Sequence, residues 1–254
     1  MTPAGQKTFT LATDLDGTFL GGTEDDRRTL YDWIEARRDS VGLVFVSGRD
    51  PMFIESLCSD GFVPWPDYVI GDVGTTVAEV RERKIHVIEP LEEQIAELWG
   101  GRGDAVRATL DGAAGLTLQP TPFRYRVSYD YDPHAYDGVA EGRVREMGLD
   151  VLISDNRFFD VLPPGVSKGP TLLRFLDHFG IAHGRTLVAG DTLNDLSMFQ
   201  TGLQGAVVGG SEQPLLDATR DIQTARHCAA IGAAGIIEAI AAFDLHPEVH
   251  EVAA

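Results

Sequence analysis

Short apolar runs recur along the chain, and each stops at a turn residue. They cover 8–13, Val41–Val46, 68–70, 186–189 and 206–208. Near-continuous apolar runs, unlike alternating ones, mark strands covered on both faces. Helical spacing separates them. Leu30, Trp33 and Ile34 share one face of a helix that Thr23 opens, with acids in its first turn. Asp50-Pro51 is a cap followed by a first-position proline and starts a second helix. Leu172, Leu173, Phe175, Leu176 and Phe179 predict a third, stopped by Gly180. Ile236, Ile237, Ile240 and Phe243 predict the last. This alternation of strand and helix predicts a parallel sheet with helices on both faces.

From about residue 89 to 160 the rhythm breaks. Two helical patterns come first (Leu91, Ile95, Leu98; then Val106, Leu110). The stretch 123–131 then alternates strictly. Phe123, Tyr125, Val127, Tyr129 and Tyr131 fall on one face, and Arg124, Arg126, Ser128 and Asp130 on the other. That is the pattern of a half-buried antiparallel strand with an open polar face. A further helix and two strands, 149–153 and Phe158–Leu162, complete a small α+β unit. The chain is therefore expected to divide into a core of 1–88 and 162–254 and an insert of 89–161. The tail after Pro247 is expected to fray.

Composition narrows the function. The 254 residues are 43% hydrophobic and 24% charged, as in an ordinary soluble domain carrying an insert. Asp plus Glu number 39 against 21 Lys plus Arg, a net charge of −18. That argues against nucleic acid or an anionic membrane surface as a partner. A small phosphate ester stays open, because a few local cations outweigh a distant net charge. Cys58 and Cys228 lack any ligand spacing and read as reduced thiols of a cytoplasmic protein. The N-terminus has no signal-peptide pattern. The most apolar stretch, 225–243, carries Arg226, His227 and Glu238 and reads as a soluble helix. The seven histidines show no zinc spacing.

Four motifs carry candidate chemistry. Asp14-Leu15-Asp16-Gly17-Thr18 closes the first predicted strand. Ligands of open parallel sheets bind beyond the carboxyl ends of strands, so these two acids stand where chemistry happens. Ser47-Gly48-Arg49 closes the second strand, with a hydroxyl and a glycine N–H suited to phosphate oxygens. Ser167-Lys168-Gly169 opens a helix. A lysine there opposes the helix dipole, which hints at a neighbouring anion. Gly190-Asp191-Thr192-Leu193-Asn194-Asp195 brings two more acids to the same sheet edge. Oxygen ligands gathered at one edge suit a hard cation, Mg2+ above all.

Taken in this order, DLDGT, VSGR, SKG and GDTLND resemble the haloacid dehalogenase superfamily of phosphatases and phosphotransferases. The resemblance implies an α/β fold, a Rossmann-like parallel core with an inserted α+β cap. Little chain separates Asp16 from Ser47, whereas the stretch from Ser47 to Lys168 has room for an insert. That is the Cof-like arrangement with a type C2B cap. Pro66-Asp67-Tyr68, Val73-Gly74-Thr75, Phe159-Asp160-Val161-Leu162-Pro163, Cys228-Ala229-Ala230 and Gly235-Ile236-Ile237 add a likeness to sucrose-phosphate and mannosylfructose-phosphate phosphatases. Sucrose phosphatases carry a glutamate after the VG[ST] triplet, and here Thr76 departs from it.

The resemblance implies a Mg2+-dependent phosphatase of a sugar phosphate, such as a disaccharide phosphate. Asp14 would be the nucleophile and Asp16 the acid and base. Asp14, the Asp16 carbonyl and Asp191 would hold the metal, with Asp195 and Asn194 supporting that shell or ligating directly. Thr18, Ser47, Gly48, Lys168 and Asn194 would bind phosphate. Arg49, Thr75, Thr76, Arg124, Arg126 and Ser128 would meet the sugar, the last three from the uncovered face of the cap sheet. The resemblance also implies a monomer, and it leaves a glycosyltransferase partner open. A phosphomutase, or a phosphatase of another small metabolite, shares every core motif. A non-catalytic binding partner would have lost one of the two acids, and Asp14 and Asp16 are both present.

Overall fold

Phe9–Thr13 (β1), buried along its whole length, lies inside an eight-stranded sheet. The structure, a computed structural model, describes residues 4–251. They form two units: the chain up to Val87 with the chain from Lys168 onward, and Ile88–Ser167. The first unit continues through α1 (Glu24–Glu35), β2 (Val41–Val46), α2 (Pro51–Ser59), β3 (Tyr68–Gly71), β4 (Thr76–Arg81) and β5 (Lys84–Val87). The second holds α3 (Glu89–Trp99), α4 (Gly103–Thr109), β6 (Leu116–Leu118), β7 (Val127–Tyr131), α5 (Val139–Glu146), β8 (Asp150–Ser154) and β9 (Phe158–Leu162). The chain returns as α6 (Lys168–Phe179), β10 (Thr186–Gly190), α7 (Leu196–Phe199), β11 (Gln204–Gly209), α8 (Gln213–Thr219), β12 (Ala225–Ile231) and α9 (Ala233–Ala242).

The large sheet has the order β12-β11-β10-β1-β2-β3-β4-β5. Neighbours from β12 to β3 are parallel, and β4 and β5 turn back antiparallel. β1, β2 and β10 are buried at every position, which is why their sequences read as continuous apolar runs. Thr13 stands opposite Phe45 on one side and Ala189 on the other. That register sets the first residues past β1, β2 and β10 side by side. Local signals start the helices. Thr23 and Asp26 form a reciprocal capping box on α1, and Asp50 caps α2 ahead of Pro51. Among the described residues no helix is long and apolar enough to cross a membrane.

The insert is a four-stranded antiparallel sheet, β6-β7-β9-β8, with its own core. Val127, Tyr129, Phe159 and Val161 pack with Trp99, Val106 and Val144. Its boundary differs from the 89–161 expected. The turn after β9 is tied into the insert by the Gly165 N–H donating to Asp150 at 2.7 Å, so the unit ends at Ser167.

Two further expectations are corrected. The alternating stretch becomes strand only from Val127, because Pro120 and Pro122 upstream cannot donate to a ladder. The apolar stretch 225–243 is not one helix. Its first part is the edge strand β12, and Gly232 turns the chain into α9. Pro247–Glu251 forms a short helical turn in which Val249 is fully buried, and the rest of the tail expected to fray, 252–254, lies outside the described residues.

Candidate active site

Asp14 is the first residue past β1, and its N–H donates to Ala189 of β10 at 2.9 Å. The chain then makes one wide helical turn over Leu15–Phe19, interrupted at Asp16 and Gly17. Gly17 has φ +78°, and a Cβ there would lie 2.2 Å from Asp191 Oδ2. Glycine is therefore required both by the backbone and by the acid leaning over it. The buried Thr18 hydroxyl donates to Asp191 Oδ1 at 2.7 Å, so Thr18 orients the acid of the β10 loop.

Lys168 joins the two acidic loops. Its ammonium, fully buried, donates to Asp14 Oδ1 (2.7 Å), Asn194 Oδ1 (2.7 Å) and Asp195 Oδ1 (2.6 Å). Here is the anion that its place at a helix start foreshadowed. The approach depends on Gly169, whose absent Cβ would lie 1.9 Å from Ser197 O. Burial by itself pulls the lysine pKa down, but Asp14 and Asp195 outweigh it and hold the ammonium charged. Asp14 moves the other way. Burial raises its pKa, Lys168 lowers it, and Asp195 and Asp191 raise it again, leaving it well above the usual carboxylate range.

Asp195 is fully engaged in shaping its own loop. Its Oδ2 accepts the N–H groups of Asp191 (3.0 Å) and Thr192 (3.1 Å), while Oδ1 takes Lys168. These bonds tie Asp195 to the loop that carries Asp191 and to Lys168. Asp14, Asp191 and Asp195 nevertheless each offer an oxygen within 4.8 Å of the others. Three carboxylates around one ammonium leave negative charge uncompensated, and the donors are all oxygen. The cluster fits a hard divalent cation. The Asp16 side chain lies outside this cluster.

Asp16 instead meets Arg49. Nε reaches Oδ2 at 2.8 Å and an Nη reaches Oδ1 at 3.3 Å, with both side chains about half exposed. The guanidinium also lies 4.5 Å from the Phe53 ring centroid. Ser47 is buried between neighbouring loops. Its N–H donates to Ile70 O, its carbonyl accepts from Val73, and its hydroxyl accepts the Arg49 N–H. Thr75 and Thr76 both donate to Asp72, to its carbonyl at 2.9 Å and its Oδ2 at 2.7 Å. Asp72 and Val73 adopt left-handed backbone with φ 53° and 60°. Sequence reasoning missed Asp72, although it stands immediately before the Val73-Gly74-Thr75 triplet.

In the insert, Arg124 bonds Glu92 through two nitrogens, at 2.6 and 2.5 Å. Arg126 and Ser128 both donate to Asp160 Oδ1, at 3.3 and 2.5 Å, and all three residues are buried. Ser128 of β7, and Arg124 and Arg126 just ahead of it, thus pair with acids of their own unit, while Arg124 and Asp130 stay exposed. Register pairs Ser128 with Asp160 directly, a cross-strand contact no local pattern announces. Burial raises the Asp160 pKa, while Arg126 and Ser128 lower it, for a net upward shift.

Comparison with known proteins agrees with this fold. A solved sucrose-phosphatase from Synechocystis sp. PCC6803, in complex with sucrose and phosphate, superposes with TM-score 0.84 at 26% identity, covering 94% of this chain and 99% of that one. A mannosylfructose-phosphate phosphatase of Agrobacterium fabrum is 28% identical over 93% of this chain and 97% of its own length. A glucosylglycerol-phosphate synthase of Pseudomonas anguilliseptica is 38% identical over 92% of this chain, which spans only 30% of the synthase. Fold and site define a phosphoric monoester hydrolase of the haloacid dehalogenase superfamily, a sugar-phosphate phosphatase with an α/β core and a cap. Within that class, the chain belongs to the sucrose-6F-phosphate phosphohydrolase family, whose model matches residues 7–244.

Proposed function

We propose that the protein hydrolyses the phosphate ester of a glycoside, with a second sugar or a small polyol as aglycone, and that it uses Mg2+. The observation that carries the reading is Lys168, bonded at once to Asp14 and to the acid loop of β10. An anionic nucleophile approaches a phosphate dianion only where cations screen both. Asp14 attacks phosphorus and carries the phosphoryl group as an acyl phosphate. Asp16 gives a proton to the leaving sugar oxygen and then takes one from the attacking water. Its pairing with Arg49 is half exposed, hence weak, and can be given up as substrate arrives. Lys168, the Ser47 hydroxyl and the Gly48 N–H hold the transferring oxygens. Asn194 and Thr18 act at one remove, on Lys168 and Asp191. Asp14, Asp191 and the Asp16 carbonyl would hold Mg2+, which when bound would supply Lewis-acid neutralisation of the phosphoryl group.

The substrate class rests on relatives whose names give a glycoside, a hexosyl unit on fructose or glycerol, that carries a phosphate ester. Of the residues expected to meet the sugar, Arg49 keeps a half-exposed guanidinium suited to sugar hydroxyls, whereas the Thr75 and Thr76 hydroxyls already donate to Asp72, and the buried Arg126 and Ser128 to Asp160. Thr76, with Asp72 as its acceptor, replaces a longer acid and favours a different glycoside from sucrose 6-phosphate. The test is phosphate release with Mg2+ across sucrose 6F-phosphate, mannosylfructose phosphate, glucosylglycerol phosphate and simple hexose phosphates. A glycoside phosphate should exceed the hexose phosphates in kcat/KM by about tenfold or more. Preference for a hexose monophosphate, or transfer of phosphate to a second sugar, would overturn the reading.

A further inference from the structure

Glu212 stands at the N-cap of α8, just past β11. Such positions favour short side chains that accept an N–H from their own first turn. Glu212 accepts none from α8. It serves the neighbouring loop instead. Its Oε1 accepts the N–H of Leu193, and its own N–H donates to the Asp191 carbonyl at 3.0 Å. One residue thus grips the β10 loop on both sides of Thr192. The route to it is built: Gly190 and Val207 are in register on β10 and β11, and Ser211 closes a turn onto Val208 O through both its N–H (3.2 Å) and its hydroxyl (2.6 Å).

From within the loop, Asp195 takes the N–H groups of Asp191 and Thr192. Glu212 takes the next N–H and donates to the Asp191 carbonyl. The backbone that carries Asp191 is therefore held from two directions, and Thr18 holds its carboxylate. A fourth acid beside three others is electrostatically adverse. Its placement gains a reason if the loop must present Asp191 at a fixed distance to a cation.

We infer that Glu212 is a positioning residue for the metal site, holding Asp191 in ligating geometry without touching the reacting atoms. This rests on the reading of Asp191 as a metal ligand. The experiment is calorimetric titration of the metal-free protein with Mg2+, beside its melting temperature in EDTA, for wild type, Glu212→Gln and Glu212→Asp. Glutamine keeps the reach and the acceptor oxygen, so it should bind Mg2+ as wild type does. Aspartate keeps the charge and is the better helix cap, but it is one methylene short of Leu193. It should melt no lower than wild type in EDTA yet bind Mg2+ about tenfold more weakly. A purely structural role would instead move affinity and melting temperature together. Wild-type Mg2+ affinity in Glu212→Asp, or affinity that tracks melting across the variants, overturns this inference alone. Failure of wild type to bind Mg2+ overturns it together with the metal reading.

Discussion

At the scale of single residues, the site is a set of close approaches that leave no room for ordinary side chains. Gly17→Ala should act through two effects at once. Its Cβ would sit 2.2 Å from Asp191 Oδ2, and alanine is strained at φ +78°. Displacing a group by about 1 Å can cost about a hundredfold in rate, so kcat/KM for phosphate release should fall at least that far. Near-normal turnover would mean that Asp191 is not needed where it stands. Asp14→Asn should separate stability from activity. It deletes the proposed nucleophile, and turnover should drop at least about a thousandfold. It also deletes a buried charge crowded by Asp195 and Asp191. Because the folded-state pKa of Asp14 is raised, its ionised form opposes folding at neutral pH, and the asparagine variant should melt higher. A variant that is inactive but less stable than wild type would contradict that account of the charge balance.

At the scale of elements, legibility followed locality. Thr23, Asp50-Pro51 and Gly180 announced their helices because a cap is a contact within a few residues. The core strands were legible because burial on both faces leaves an unbroken apolar run, and three of the four motifs because each sits at a strand's carboxyl end, the lysine motif instead opening α6. β4 and β5 were missed; they form an antiparallel hairpin with exposed charges at its outer edge, and their sequence alternates weakly. β12 was missed because an edge strand rich in alanine resembles a helix. What secures its edge is Glu238, eight and nine residues later in α9, accepting the N–H groups of Ala230 and Ala229. In β7 the apolar face read correctly at Val127 and Tyr129, but the partner of the polar face lay on β9. That partner changes what Arg126→Ala should do. Removing the guanidinium leaves Asp160 buried beside Ser128 alone, and breaking a buried pair costs about 3–5 kcal/mol. The variant should unfold at clearly lower denaturant, whereas Arg126→Ala with Asp160→Asn should recover part of the loss. If the single variant is as stable as wild type, Arg126 is held elsewhere than on Asp160.

At the scale of the whole chain, His246 and Glu248 close back on α1 and the turn that follows it, and that closure carries a titratable group. His246 is buried edge-on to Trp33, with ring centroids 5.1 Å apart. The Glu248 N–H points to its Nδ1 at 3.3 Å, so Nδ1 is the acceptor and Nε2 carries the proton, 3.0 Å from the Ser40 hydroxyl. Ser40 in turn donates to Arg37 O, consistent with a neutral imidazole in that tautomer. Around it, Arg37 pairs with the Glu248 carboxylate at 2.8 Å and the Trp33 indole donates to Glu248 O. Burial lowers the His246 pKa, Glu248 raises it and Arg37 lowers it, and the net direction is down. A histidine held neutral in the fold adds stability above its unfolded pKa of about 6.5, and that stability is lost as pH falls through the lower folded value. The wild-type melting temperature should therefore decline between about pH 7 and pH 5, ahead of general acid unfolding. His246→Gln should melt lower at pH 7, by an amount corresponding to about 1 kcal/mol for a lost hydrogen bond, but with a shallower decline over the same interval. The comparison is made at matched ionic strength, because the Arg37–Glu248 pair is partly exposed and screened by salt. Parallel melting curves for the two proteins from pH 7 to pH 5 would show that His246 does not titrate against folding.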